Sequence, residues 1–88
     1  MPSPTTQLVN VHVLLFASYA EGLGLESVRV ALPALATVGD ALEHVRSLPG
    51  GERIPPKPLC AVNLAHAALD TPLSEGDEVA LLPPLAGG

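Results

Sequence analysis

Val9, Val11, Val13 and Leu15 recur at every second position, which is the signature of a strand with one face on a core. The alternate positions, Asn10, His12, Leu14 and Phe16, begin polar and end apolar. Residues 1–6 hold two prolines and no apolar periodicity and are expected to form a disordered leader. Glu21-Gly22-Leu23-Gly24 is expected to turn the chain, because its glycines reach backbone angles that other residues avoid. Val28, Val30 and Leu32 then face in while Ser27, Arg29 and Ala31 face out, so the two runs predict a hairpin that Pro33 ends.

Periodicity changes at Thr37-Val38-Gly39-Asp40, which reads as a helix start with the Thr37 hydroxyl accepting from the N–H three residues on and Asp40 facing the helix dipole. Val38, Ala41, Leu42, Val45 and Leu48 come next at three- and four-residue spacing, up to the stop Pro49-Gly50-Gly51. So short a helix does not persist alone and must dock on the sheet. The prolines of residues 54–58 lack the N–H of a central strand and predict a stiff connector. Leu59 to Asn63 predicts a strand, Ala65 to Leu69 a further one, 70–72 and 73–77 turns, and Glu78 to Leu82 the last strand. The order β-β-α-β-(β)-β describes an α+β domain over 7–82, with one main helix and an extended tail, 83–88.

Composition narrows the class. The 88 residues suffice for one domain and one core. Four Lys and Arg against nine Asp and Glu, with aromatics at 2%, argue against nucleic acid and for a basic protein partner. No run approaches the roughly 20 apolar residues of a membrane span, and no Lys or Arg precedes Arg29 to open a signal peptide. A cytoplasmic protein is expected. The single cysteine, Cys60, lies in an apolar run and reads as a buried hydrophobe.

The candidate chemistry lies at the end of the chain. Val79 and Leu81 face the core, so Leu82 is expected to be exposed beside Leu14 and Phe16 if the first and last strands are neighbours. Apolar residues on an outer sheet face mark a docking surface. Pro83 and Pro84 stop the strand and hold the chain beyond it extended. Leu85, Ala86, Gly87 and Gly88 then shrink in size toward a carboxylate. A carboxylate is a poor electrophile and must be activated, for instance as an acyl-adenylate, before sulfur or an amine attacks it. Residues without Cβ thread a narrow channel to the activating centre.

His12, His44 and His66 match no metal-binding spacing, and no metal is expected. No G-x-S-x-G motif accompanies the serines, and Gly50-Gly51 lacks the Lys and Ser or Thr of a phosphate loop. Glu75, Asp77 and Glu78 read as turn and solvated surface that also attracts a basic enzyme.

Residues 13–17, the helix opening 37–42, Ala61-Val62-Asn63 and above all the stretch from Asp70 to Gly88 resemble the small subunit of molybdopterin synthase, the MoaD family. The resemblance implies a ubiquitin-like β-grasp fold with a mixed sheet. It implies that an E1-like, MoeB-like adenylyltransferase activates Gly88 with ATP, and that a sulfur donor such as a cysteine desulfurase converts it to a thiocarboxylate. The tail would then enter a MoaE-like large subunit and pass its sulfur to a pterin precursor, two carriers supplying the two sulfurs of a heterotetramer. No bound cofactor is implied. Leu14, Phe16, Leu82, Pro83, Pro84, Leu85 and Ala86 are the expected partner contacts, with Gly87 and Gly88 the reacting end. Two departures stand out: Ala20-Glu21 where many relatives carry Arg-Glu, and Asn63-Leu64-Ala65-His66 where the family has a glycine-containing turn. A carrier for thiamin or tRNA thiolation, a ubiquitin-like modifier joined to lysines, and a plain interaction domain are the alternatives. The Pro83-Pro84 pair speaks against a thiamin carrier.

Overall fold

The alternating segments become strands with the expected faces. In the computed structural model, which describes residues 7–84, the elements are β1 (Leu8–Leu15), α1 (Ala17–Leu23), β2 (Ser27–Pro33), α2 (Val38–Arg46), a 3-10 turn (Gly51–Arg53), β3 (Leu59–Val62), β4 (Ala65–His66) and β5 (Glu78–Leu82). The expected leader, 1–6, and the last four tail residues lie outside the described residues. One five-stranded sheet has the order β2-β1-β5-β3-β4. β1 and β5 run parallel at its centre and the other pairs are antiparallel, so the sheet is mixed, as a β-grasp requires.

Val11, Val13, Leu15, Val30, Val79 and Leu81 on one sheet face meet Val38, Ala41, Leu42 and Val45 of α2, all buried. Each large side chain buried here contributes about 1.5–3 kcal/mol. The start of α2 is held by a capping box: Asp40 N–H donates to Thr37 Oγ1 at 3.3 Å and Thr37 N–H to Asp40 Oδ2 at 2.9 Å.

Three expectations are corrected. The link between β1 and β2 is not a tight glycine turn but a seven-residue helix, α1. It buries one side chain, Tyr19, and is too short to show a helical period. Gly24, in the left-handed region at φ 72°, ends it by donating from its N–H to Ala20 O at 2.8 Å. The strand expected over Ala65 to Leu69 shrinks to Ala65–His66, after which the chain leaves the edge to reach the α2 start, where Gly39 N–H donates to Leu69 O at 2.8 Å and Val38 N–H to Thr71 O at 2.9 Å. The helix α2 stops at Arg46, two residues short of Leu48.

The β3–β4 turn carries a local conflict. Asn63 and Leu64 both have positive φ, 50° and 75°, the combination that favours Asn-Gly in two-residue hairpins. Asn63 suits its place, its Oδ1 accepting from Glu78 N–H at 3.0 Å and its Nδ2 donating to Asp77 Oδ1 at 2.9 Å. Leu64 is 94% exposed and gains no burial in return for its strained backbone. Replacing Leu64 with Gly is expected to raise stability by about 0.5–1 kcal/mol, read as a higher urea midpoint at unchanged slope. A lower midpoint would mean that the Leu64 side chain stabilises the turn.

Candidate functional site

Because Val11, Val13, Leu15, Val79 and Leu81 are taken by the core, the residues between them share the opposite sheet face. The register then sets what touches what. Leu14 lies beside Ala80 and Ala80 beside Ala61, while Leu82 lies beside Leu59. Phe16 follows Leu14 past the end of β1 as Leu82 follows Ala80 toward the end of β5. The sequence-predicted trio Leu14, Phe16 and Leu82 is therefore brought onto one apolar face, with Leu59, Ala61 and Ala80 beside it. Phe16 is 43% exposed and Leu59 51%, whereas Leu14 and Ala80 are half-buried. Leu82, expected to be exposed, is half-buried, with Leu59 of β3 beside it.

Sequence reasoning missed Leu59. Its signal was the alternation Leu59, Ala61 around buried Cys60, hidden by the prolines just before it. Beside the face, Leu14, Leu15, Phe16, Ala17, Ala20, Glu26 and Ser27 line an open hollow of ≈ 540 Å³. Ala17, the first residue of α1, has φ 49° and bends the chain directly after Phe16.

β5 is a central strand, so it delivers Pro83 and Pro84 from the middle of the sheet and from this apolar end. Pro83 is half-buried and Pro84 exposed. Leu85, Ala86, Gly87 and Gly88, the other expected partner-binding and reacting residues, lie outside the described residues.

The remaining candidates separate. His12, His44 and His66 sit on β1, α2 and β4 and are all exposed, and among the described residues no group of His, Cys, Asp and Glu is placed to hold a metal. Cys60 is buried on the core face, where burial raises its pKa and holds it as a thiol. Tyr19 is raised as well, first by burial and then by Cys60, and its buried hydroxyl finds no partner among the described residues. No helix among the described residues is long and apolar enough to cross a membrane. The face formed by Leu14, Phe16, Leu59, Ala61, Ala80 and Leu82 holds no ionisable group.

A mixed sheet with one main helix on one face and a carboxyl-terminal segment leaving its central strand defines the ubiquitin-like β-grasp class. Within that class the chain belongs to the ThiS family, whose model matches residues 13–88. It is 38% identical over 84 residues to the molybdopterin synthase sulfur carrier subunit of Drosophila erecta, covering 92% of this chain and 93% of that protein. Among solved structures, the small archaeal modifier protein 1 of Haloferax volcanii superposes with a TM-score of 0.79 at 32% identity, covering 88% of this chain and 99% of that one. A complex of subunits 1 and 2 of the molybdopterin-converting factor from Helicobacter pylori gives a TM-score of 0.66 at 23% identity, covering 91% and 100%, a likeness of fold.

Proposed function

We propose that this chain is the sulfur carrier subunit of molybdopterin synthase, with the α-carboxylate of Gly88 as its working group. The observation that carries the proposal is the placement of the tail root: Pro83 and Pro84 leave a central strand from within the apolar face of Leu14, Phe16, Leu59 and Leu82. A partner docked on that face takes up the tail at the same time, so one contact surface serves both recognition and delivery. The similarity to molybdopterin synthase sulfur carrier subunits supports the same reading.

In the cycle, a carboxylate oxygen of Gly88 attacks the α-phosphorus of ATP on an E1-like enzyme and pyrophosphate leaves. The outer sulfur of a persulfide on a donor such as a cysteine desulfurase then displaces AMP to form an acyl disulfide, and a thiol reductant cleaves its S–S bond, leaving a thiocarboxylate on Gly88 and a disulfide on the reductant. The large synthase subunit binds the charged carrier, as the Helicobacter pylori complex of subunits 1 and 2 suggests, and its pocket hosts sulfur transfer to the pterin precursor. The carrier contributes no side-chain catalysis and is not an enzyme on its own. ATP belongs to the activating enzyme, and the cytoplasm supplies it.

The test is intact mass after incubation with ATP, an E1-like enzyme from the same source and a sulfur donor. A shift equal to one oxygen replaced by sulfur, located at Gly88 and lost without ATP, is expected. No shift with a demonstrably active enzyme overturns the proposal.

The likeness to a protein named as a modifier favours a second reading, in which activated Gly88 is joined to amines of other proteins. Gly-Gly remnants on lysines of cellular proteins would mark that route.

A further inference from the structure

One step along the strands from the apolar face, a row of polar side chains crosses the sheet: Arg29 on β2, His12 on β1 and Glu78 on β5, paired directly in the register. All three are exposed. The two ends of the row are opposite charges separated by the width of two strand spacings, about 10 Å, with His12 between them. Arg29 donates from Nε to His12 Nε2 at 3.4 Å, a long contact. Among the described residues neither the Arg29 guanidinium nor the Glu78 carboxylate has an ion-pair partner, and the one salt bridge joins Arg46 to Glu43 on α2.

The neighbouring acids are used differently. Glu75 Oε1 accepts from Asn10 N–H at 2.8 Å, and Asp77 accepts from Ser74 N–H at 2.8 Å and from Asn63 Nδ2 at 2.9 Å. Both shape turns of the fold. Glu78 is left with its carboxylate free on the outer face. Arg29 is likewise the one Lys or Arg on that face, since Arg46 lies on α2, Arg53 in the 3-10 turn and Lys57 in the proline connector.

We infer that this row orients the partner on the apolar face, the occupant being the large-subunit partner of the proposed function, on which the inference rests. Apolar contact is not directional. A partner seated on Leu14, Phe16 and Leu82 alone could rotate about the face normal, and the tail would then miss its channel. A cation at one end of the rim and an anion at the other remove that freedom. They require a carboxylate on the partner over Arg29 and a guanidinium or ammonium over Glu78, about 10 Å apart. The same rim rejects a surface of like arrangement by placing equal charges together.

The experiment compares affinities for the purified large synthase subunit from the same source, using wild-type carrier, Arg29→Glu, and the double variant Arg29→Glu with Glu78→Lys. The double variant reverses the row and keeps the net charge. Orientation by the row predicts binding weaker by about tenfold or more for both variants, with unfolding midpoints near wild type because both sites are exposed. Double-variant binding equal to wild type, with the single variant weakened only at low salt, overturns the inference and leaves net charge as the whole effect. Absence of binding by the wild-type carrier overturns the proposed function itself, so the two failures are distinct.

Discussion

Changing Phe16 to Asp is expected to weaken binding to the large synthase subunit by about 2 kcal/mol or more while leaving the domain folded. Phe16 has the exposure of a docking anchor, 43%, beside half-buried Leu14. An Asp there would place a carboxylate in the middle of an apolar contact with no cation within the patch to meet it. The effect on folding is opposed by a second property of the site. Phe16 is the N-cap of α1, with extended φ −127° and ψ 150° and no side-chain cap hydrogen bond. Asp is among the favoured residues at that position and contributes about 1 kcal/mol relative to a non-capping side chain. That offsets the roughly 1 kcal/mol lost with the half of the ring that is hidden. Titration calorimetry with the large subunit and a urea melt of the free carrier read the two effects separately. Unchanged affinity, or a carrier that no longer folds, counts against Phe16 as an anchor.

The second large effect is on stability and comes from a close backbone approach. Gly50 has φ 90°, and a Cβ built on it would fall onto the carbonyl oxygen of Gly22 and lie 2.8 Å from its carbonyl carbon and 3.2 Å from Leu23 Cα. All of these are backbone atoms of α1, so no side chain can swing away. Gly50→Ala is expected to cost more than about 3 kcal/mol, a large part of the roughly 5–15 kcal/mol that holds a domain together. Gly24→Ala is the control, because Gly24 also has positive φ, 72°, yet has open space around it. It should cost only the left-handed strain, about 1–2 kcal/mol. Chemical denaturation of the two variants compares them. Equal losses would mean that the packing of α1 against the α2 stop adds nothing beyond backbone angle.

The identity of Gly50 shows how a residue can be read correctly for the wrong reason. Its sequence context, Pro49-Gly50-Gly51, marks a helix stop, and α2 has already ended before it, at Arg46. The demand for the absence of a side chain comes from Gly22, which is distant in sequence, and α1 itself left no periodic trace. A seven-residue helix with one buried side chain and an uncapped start has too little pattern to be told from a loop. The β4 segment was overextended for a related reason. Ala65 to Leu69 is apolar enough for a strand, but beyond Ala67, whose N–H still donates to Cys60 O, the carbonyls of Leu69 and Thr71 are claimed by the start of α2, a competition that exists only in three dimensions.

The sequence by itself determined the assignments with the clearest period: the inward faces of β1, β2 and β5, the buried stripe of α2 with its Thr37–Asp40 cap, and the end of the last strand before Pro83-Pro84. These assignments rest on local rules, because alternate side chains of a strand must part to opposite faces and a helix must repeat every three to four residues. Only the tertiary structure decided that β1 and β5 lie parallel at the centre. That pairing gathers Leu14, Phe16 and Leu82 into a face and sets Glu78 beside His12, while the β3–β5 pairing adds Leu59 to the face and the β1–β2 pairing adds Arg29 to the row at its rim. Strand order depends on which edges can bury the same core against α2. That choice is made by the whole chain at once, and no local stretch of sequence carries it.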